Sequence, residues 1–155
     1  MAIQAYVPVA PAVKRPIDEH GKLRFIYGKM VAAVAGDIAS TIALGKLPPG
    51  AVRFMYSMSQ VKCSAWGAGA TLSIGYATFR SKQDQNTVND GMEPASTNAL
   101  ASALDMSAAA IKPLSTTLIK YDFYSLAGVN LIGNVGGAVI PLNATLEWQL
   151  AYLYE

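Results

Sequence analysis

Segment 142–154 alternates between apolar and polar side chains, and this pattern constrains the fold more than any other feature of the sequence. Every second position is apolar: Leu142, Ala144, Leu146, Trp148, Leu150, Tyr152 and Tyr154. Asn143, Thr145, Glu147 and Gln149 lie between them. A period of two is typical of a β-strand with one buried face. The pattern predicts a terminal strand with Trp148 facing the core and Glu147 and Gln149 facing outward.

Further strand-like segments precede this one and are separated by turns rich in Gly and Pro. They lie at residues 25–31, 38–44, 51–63, 70–76, 114–124 and 129–132. The first two are expected to pair as an antiparallel hairpin that turns at Gly36 and Asp37. The Gly-rich residues 133–137 are expected to form a turn.

The segment 51–63 has a parity of its own. One parity holds Val52, Phe54, Tyr56 and Met58, and the other holds Arg53, Ser57 and Ser59. Because strand residues point to opposite faces in alternation, the first set is expected inside. The second set is then expected in water or at a polar interface.

Two segments in the middle of the chain read differently. Residues 80–98 are polar and predict a long surface loop, a feature often associated with binding. Residues 99–110 show helical spacing at Leu100, Ala103, Leu104 and Ser107. Thr97 or Asn98 is a possible N-cap, and Pro113 ends the pattern. We therefore expect one short helix near 98–110.

These elements predict an all-β fold, an antiparallel β-sandwich or jelly-roll-like arrangement of about seven or eight strands with one short helix. A chain of 155 residues is long enough for one domain, which we assign to residues 22–155. Residues 1–21 contain Pro8, Pro11 and Pro16 and are expected to form an extended arm. That segment is either a partly disordered tail or an arm that packs on a neighbouring subunit.

Charge is scarce in this chain. Charged residues make up 14% of the sequence, against about 25% in typical soluble domains. A monomer of this kind would expose much uncharged surface, so we expect self-association or docking onto a larger body. The net charge is +2, and the basic residues of the first half form no extended run. This distribution argues against a nucleic-acid surface and leaves a docking face for an acidic protein neighbour.

Catalytic chemistry finds little support in the sequence. His20 is the single histidine and lies in the arm beside Asp18 and Glu19, where it would be a poor general base. Cys63 is the single cysteine, so no intrachain disulfide is possible, and a buried thiol is expected. The sequence predicts a protein that is not an enzyme and needs no cofactor.

Metal and membrane binding are also not expected. Asp84, Asn86 and Asp90 offer oxygen ligands, but Val88 stands where an EF-hand would place a further ligand. A looser Ca²⁺ or Mg²⁺ site in this loop remains the alternative. The uncharged stretch 123–146 is interrupted repeatedly by Gly and Asn, and the N-terminus has no basic segment before its apolar part. Neither a membrane span nor a secretion signal is therefore expected.

Four segments, taken in order, resemble a known group of proteins. They are residues 47–53, residues 69–76, residues 99–109, and the Gly-rich turn followed by Ile140, Pro141 and the alternating final strand. This set resembles small β-sandwich virion proteins of tailed bacteriophages that decorate or cement the head. The resemblance covers residues 36–155, leaves the arm outside, and is locally interrupted by the loop at 80–98.

The resemblance implies a structural role without catalysis. Such a protein binds the outside of an assembled capsid at many equivalent positions and stabilises it. Its partners would be the major capsid protein and further copies of itself, as a dimer or trimer, with no nucleic acid and no membrane. It would be made in the host cytoplasm and reside on the capsid surface of the virion.

Contact residues follow from this role by inference. The arm would contribute Tyr6, Val7, Pro8, Lys14 and Arg15, and the sandwich would contribute Arg53. Two alternatives remain at this stage. The chain could be a carbohydrate-binding or receptor-binding module on the virion surface, or a component of the tail.

Overall fold

The computed structural model describes residues 5–6, 22–81, 91–114 and 120–154. Among these residues the structure contains no helix, and its regular elements are all strands. The strands are β1 (Ala5–Tyr6), β2 (Leu23–Val31), β3 (Thr41–Leu47), β4 (Gly50–Cys63), β5 (Thr71–Tyr76), β6 (Phe79–Arg80), β7 (Met92–Glu93), β8 (Ser96–Asp105), β9 (Ala110–Pro113), β10 (Lys120–Ser125), β11 (Val129–Gly136) and β12 (Thr145–Tyr154). The all-β prediction is confirmed, whereas the expected count of seven or eight strands is too low because several short strands flank the long ones.

The strands form two facing sheets and one small hairpin. Sheet A has the order β1–β3–β11–β5–β8, and sheet B has the order β10–β4–β12–β2. β9 also joins sheet B, where it pairs with the end of β4 that β10 does not reach. β6 and β7 pair with each other. All pairs are antiparallel except β1 with β3.

The pairing order is that of a jelly roll. β5 pairs with β8, β4 with β10, β3 with β11 and β2 with β12, as in one long hairpin wound into two sheets. Because the hairpin is wound in this way, most strands lie in the sheet opposite to that of the preceding strand. This is the jelly-roll arrangement. The predicted hairpin between residues 25–31 and 38–44 is therefore wrong. β2 and β3 lie in different sheets, since β12 and β11 are their respective partners.

The closing strand β12 lies between β4 and β2 and forms the centre of sheet B. Trp148 is 3% exposed, and its Nε1 donates a hydrogen bond to the Leu44 carbonyl of sheet A over 2.7 Å. Its ring occupies the space that a Cβ on Gly28 would need. Gln149 is only half-buried. The predicted parity is confirmed from Ala144 to Tyr152, and Trp148 connects the two sheets. The expected start at Leu142 is wrong, because β12 begins at Thr145 and Leu142 is exposed in the preceding turn.

The inside and outside faces of β4 exchange at a bulge. From Gln149 to Ala151 β12 advances by two residues, while β4 advances by five, from Gln60 to Met55. Ser59 is buried here, where its Oγ donates to the Met55 carbonyl at 2.7 Å and accepts from the Ala151 amide at 2.9 Å. These bonds replace ladder bonds that the bulge interrupts.

Two assignments within β4 are corrected by this bulge. Met58 is exposed rather than inside, and Ser59 is buried rather than in water. The extra residues change the parity of the strand partway along its length, so the alternation before the bulge does not extend beyond it.

The predicted helix near 98–110 is wrong, because residues 96–105 form β8 at the edge of sheet A. From Ile74 to Tyr76 β5 advances by two residues, while β8 advances by five, from Ala101 to Ser96. The bulged backbone of β8 passes over Gly75, and a Cβ at that position would overlap the Ser96 carbonyl oxygen. Pairing with β5 thus overrides a weak helical propensity.

Other predicted turns and loops are placed as follows. The Gly-rich turn at 133–137 is shorter than expected, since β11 continues to Gly136 and pairs with β3 and β5. The loop expected at 80–98 is interrupted by β7, and its last residues belong to β8. The possible Ca²⁺ ligands Asp84, Asn86 and Asp90 lie outside the described residues. In the described part of the chain no helix of a length and hydropathy suited to crossing a membrane is found.

Candidate functional site

The outer face of sheet B carries exposed apolar side chains. Tyr27 on β2 is 60% exposed, Ile111 on β9 is 59% exposed, and Tyr124 on β10 is 60% exposed. Most other large apolar side chains of comparable exposure among the described residues lie in turns, in the β4 bulge or in β7. An apolar side chain on a flat sheet face is available to a partner surface.

Charged side chains lie between these apolar groups. Glu147 on β12 is flanked by Lys29 Nζ at 3.2 Å and Lys62 Nζ at 3.7 Å. The hydrogen bond from Lys29 and the positive charge of Lys62 lower the pKa of Glu147. Arg53 Nε contacts Asp122 Oδ1 at 2.9 Å on the same face. Exposed pairs of this kind add little stability and instead fix the pattern of charge that a partner meets.

The strand register brings these residues into rows that cross the sheet. Lys62 is the register partner of both Ile111 and Glu147, and Glu147 is in turn the partner of Lys29. The neighbouring row contains Gln60, Gln149 and Tyr27. Between the rows lies a shallow depression of about 200 Å³, lined by Tyr27, Gln60, Lys62, Ile111, Glu147, Trp148 and Gln149.

We call this surface the docking face. It comprises the outward side chains of sheet B: Tyr27, Lys29, Arg53, Gln60, Lys62, Ile111, Asp122, Tyr124, Glu147 and Gln149. On the outer face of sheet A one row consists of Ala43, Ile132 and Gly75, and the next consists of Thr41, Asn134 and Ser73. The sheet B face is distinguished by its exposed Tyr27, Ile111 and Tyr124 and by its ion pairs.

An aromatic cluster closes the sandwich beside β10. The rings of Tyr76 and Phe123 meet edge to face at 5.3 Å, and Phe79 lies 5.5 Å from Tyr76 and 5.8 Å from Phe123. Tyr121 packs on Phe123 at 4.8 Å, and its hydroxyl lies 3.1 Å from that of Tyr76. Edge-to-face aromatic contacts stabilise such clusters beyond simple burial.

Burial changes the ionisation of two core tyrosines. It raises the pKa of Tyr56 to about 12, with a smaller contribution from Tyr121. Burial, reinforced by the hydrogen bond with Tyr121, likewise raises the pKa of Tyr76 to about 12. Free tyrosine ionises near 10, so both groups favour the neutral form in the folded state. The stability they contribute is complete below about pH 10 and is lost as the pH rises to about 12.

We therefore expect the free energy of unfolding to fall between about pH 10 and pH 12. Replacing both tyrosines, in the variant Tyr56→Phe/Tyr76→Phe, should make this fall less steep, since phenylalanine cannot ionise. Urea denaturation at several pH values measures the slope. Tyr27→Phe, at an exposed position, is the control and should retain the wild-type slope. An unchanged slope in the double variant would contradict the assignment.

Of the residues expected to contact a partner, only Arg53 and Tyr6 lie among the described residues. Arg53 lies on the docking face and is paired with Asp122. Tyr6 lies in β1, where it is the register partner of Ile42 at the edge of sheet A. Val7, Pro8, Lys14 and Arg15 lie outside the described residues, as does His20. Tyr27 and Ile111 were not singled out from the sequence, because parity does not show which strands adjoin and the strand that holds Ile111, β9, was not predicted.

The described residues offer no obvious centre for metal chemistry. No group of three or more His, Cys, Asp or Glu side chains in this part of the chain could hold a metal ion. Cys63 is buried at the end of β4, with its Sγ 3.5 Å from the Ala108 carbonyl oxygen. Its thiol is thus enclosed by the sandwich.

The fold is therefore a single jelly-roll sandwich, and the outer face of one sheet exposes both apolar and charged side chains. The fold is similar to that of a chain in the capsid of Ralstonia phage GP4, with a TM-score of 0.63 at 14% identity over 93% of this chain and 92% of that one. It is also similar to a chain of the cyanophage Pam1 capsid asymmetric unit, with a TM-score of 0.57 at 13% identity over 95% of both. At these identities the likeness establishes the shared fold.

Sequence comparisons add no further relationship. No protein-family model matches the chain. No curated protein matches it at a significant level.

Proposed function

We propose that this protein is a structural component of a phage particle, which binds the outside of the assembled capsid and stabilises it. The observation that carries the proposal is the similarity to a chain of the Ralstonia phage GP4 capsid, which spans more than nine-tenths of both chains. The match covers the whole jelly roll and not one hairpin of a larger protein. A second phage capsid chain matches over the same extent.

The docking face is the surface we assign to the capsid contact. Its apolar groups, Tyr27 and Ile111, border a row of two lysines and one carboxylate that can match a patterned protein surface. On a symmetric shell the same modest contact recurs at every equivalent position. If copies also associate as dimers or trimers, simultaneous engagement strengthens binding without new contacts to the shell.

The N-terminal arm is the second proposed contact. Its expected contact residues are Tyr6, Val7, Pro8, Lys14 and Arg15, and Arg53 adds a cation on the docking face. β1 supports a role for the arm near the edge of sheet A, since it extends that sheet beside β3. Whether these residues contact the shell or a neighbouring copy stays a prediction.

The test is co-sedimentation of the purified protein with emptied capsids of the phage that encodes it. We expect saturable binding at many sites per shell and a higher melting temperature of the decorated shells. Ile111→Asp places a charge on the docking face, at the β9 edge of sheet B, and should weaken binding at least tenfold. Because Ile111 is exposed, the fold should persist.

The matched control is Asn130→Asp, which adds the same charge at an exposed position on the outer face of sheet A. It should bind as the wild type does. Equal binding by both variants and the wild type would remove the docking face from the proposal. A few copies per particle, located at one vertex, would instead indicate a tail or portal component and contradict decoration.

A further inference from the structure

A second concave surface lies along the edge of sheet B that β10 forms in the described part of the chain. It is a cleft of about 420 Å³, lined by Tyr76, Phe79, Ser81, Glu93, Tyr121, Asp122 and Tyr124. Side chains from both faces of β10 reach it, because β10 is last in the order of its sheet. We propose that this cleft binds a carbohydrate, a function beyond capsid docking, although its rim residues Asp122 and Tyr124 also belong to the docking face.

The wall of the cleft is aromatic. Tyr121 is half-buried and has Phe123 packed behind it at 4.8 Å, so that part of its ring remains open to the cleft. Tyr124 is 60% exposed at the rim, which is high for an aromatic residue within a strand. The flat apolar side of a sugar ring can pack against such rings while its hydroxyl groups remain available for hydrogen bonds. A rigid cluster of rings also limits the side-chain entropy lost on binding.

The cleft also holds an unused hydrogen-bond donor. The hydroxyl groups of Tyr76 and Tyr121 lie 3.1 Å apart and share one hydrogen bond. Two phenols carry two hydroxyl hydrogens, so one O–H remains to donate to a ligand. A phenol is protonated at neutral pH, so this O–H is available as a donor.

Acceptors for sugar hydroxyls come from a carboxylate at the rim. Glu93 is exposed, and its Oε1 accepts a hydrogen bond from Ser81 Oγ at 2.9 Å. This bond orients the carboxylate and leaves further acceptor capacity for a ligand. Asp122, on the opposite side, is paired with Arg53, which offsets its charge. With one of the two carboxylates compensated, the cleft suits a neutral polyhydroxy ligand better than a cation.

The size of the cleft agrees with this assignment. Small-molecule sites commonly measure about 300 to 1,000 Å³ and combine apolar walls with a few placed polar groups. A volume of about 420 Å³ suits one or two sugar rings. The jelly-roll fold is compatible with such binding, although the proposal rests on the cleft residues and not on the fold.

The test uses the full chain and saturation-transfer NMR with a panel of methyl glycosides of glucose, galactose, mannose, N-acetylglucosamine and rhamnose. We expect saturable binding of at least one glycoside. Tyr124→Ala should weaken that binding at least tenfold, because it removes an exposed ring. Glu93→Gln should weaken it several-fold through loss of the charged acceptor. Both positions are exposed, so both variants should keep the wild-type melting temperature.

The matched control is Tyr27→Ala, since Tyr27 has the same residue type and the same 60% exposure but lies outside the cleft. It should bind the glycoside as the wild type does. The proposal is overturned if no glycoside binds at about 10 mM, which corresponds to a negligible affinity. It is also overturned if binding survives Tyr124→Ala, or if the edge of β10 captures an extended peptide and no sugar.

Discussion

Replacing Trp148 by Asp is expected to abolish folding. Trp148 is 3% exposed at the centre of sheet B, and its indole donates to the Leu44 carbonyl of the opposite sheet over 2.7 Å. Truncating a buried tryptophan costs about 3–5 kcal/mol. An unpaired carboxylate in the same place adds several kcal/mol more. Together these terms approach the whole stability of a typical domain, about 5–15 kcal/mol.

The measurement is circular dichroism with urea denaturation of the purified variant. Trp148→Asp should show no cooperative unfolding transition. Gln149→Ala is the matched control, because it alters the adjacent residue of β12 on the half-exposed side. Its stability should stay within about 0.5 kcal/mol of the wild type, as for most surface changes. A cooperative transition for Trp148→Asp near that of the wild type would contradict a buried indole between the sheets.

The final strand was predictable because its apolar positions alternate without interruption up to Trp148 and beyond. One buried face and one open face leave a single consistent register for such a segment. β8 was not predictable in the same way. Leu100 and Leu104 occur at helical spacing among several alanines, and leucine and alanine favour a helix in isolation. Hydrogen bonds with β5 decide the conformation, and no local signal in residues 96–105 indicates that partner.

The β4 bulge shows a second limit of alternation. Up to Tyr56 the predicted inside positions of β4 are buried, and Met58 is then exposed while Ser59 is buried. The change depends on a serine hydroxyl that bonds to Met55 and to Ala151, ninety-two residues away along the chain. A serine that closes a bulge cannot be distinguished in the sequence from one that faces water.

The docking face was predictable in part. The shortage of charge and the exposed position of Arg53 follow from the sequence alone. The rest of the docking face does not, because Tyr27, Ile111 and Glu147 come from three strands far apart in the chain. Only the register of sheet B assembles them. The same holds for the cleft, where Tyr76 and Tyr121 belong to opposite sheets and approach through their hydroxyls.

Gly75→Ala is expected to be the most damaging of the small substitutions in sheet A. Its added Cβ would overlap the Ser96 carbonyl oxygen, which is backbone and cannot rotate away. Overpacking in well-packed regions costs about 1–3 kcal/mol and sometimes more. Here the bulge of β8 would have to separate from β5, so we expect a loss of about 3 kcal/mol. Urea denaturation measures this loss as a lower midpoint with an unchanged slope.

The control for this prediction lies in the same row of the sheet. Ile132 on β11 is the register partner of both Gly75 and Ala43, and Ala43 is exposed at the other end of that row. Ala43→Val adds two carbons where Gly75→Ala adds one, yet it should change stability by less than about 0.5 kcal/mol. The added volume therefore cannot explain why Gly75→Ala should lose more stability than Ala43→Val. The close approach of the β8 backbone to Gly75 can explain it. If Gly75→Ala is as stable as Ala43→Val, then β8 does not cross over Gly75, and its pairing with β5 would have to follow a regular register without the bulge.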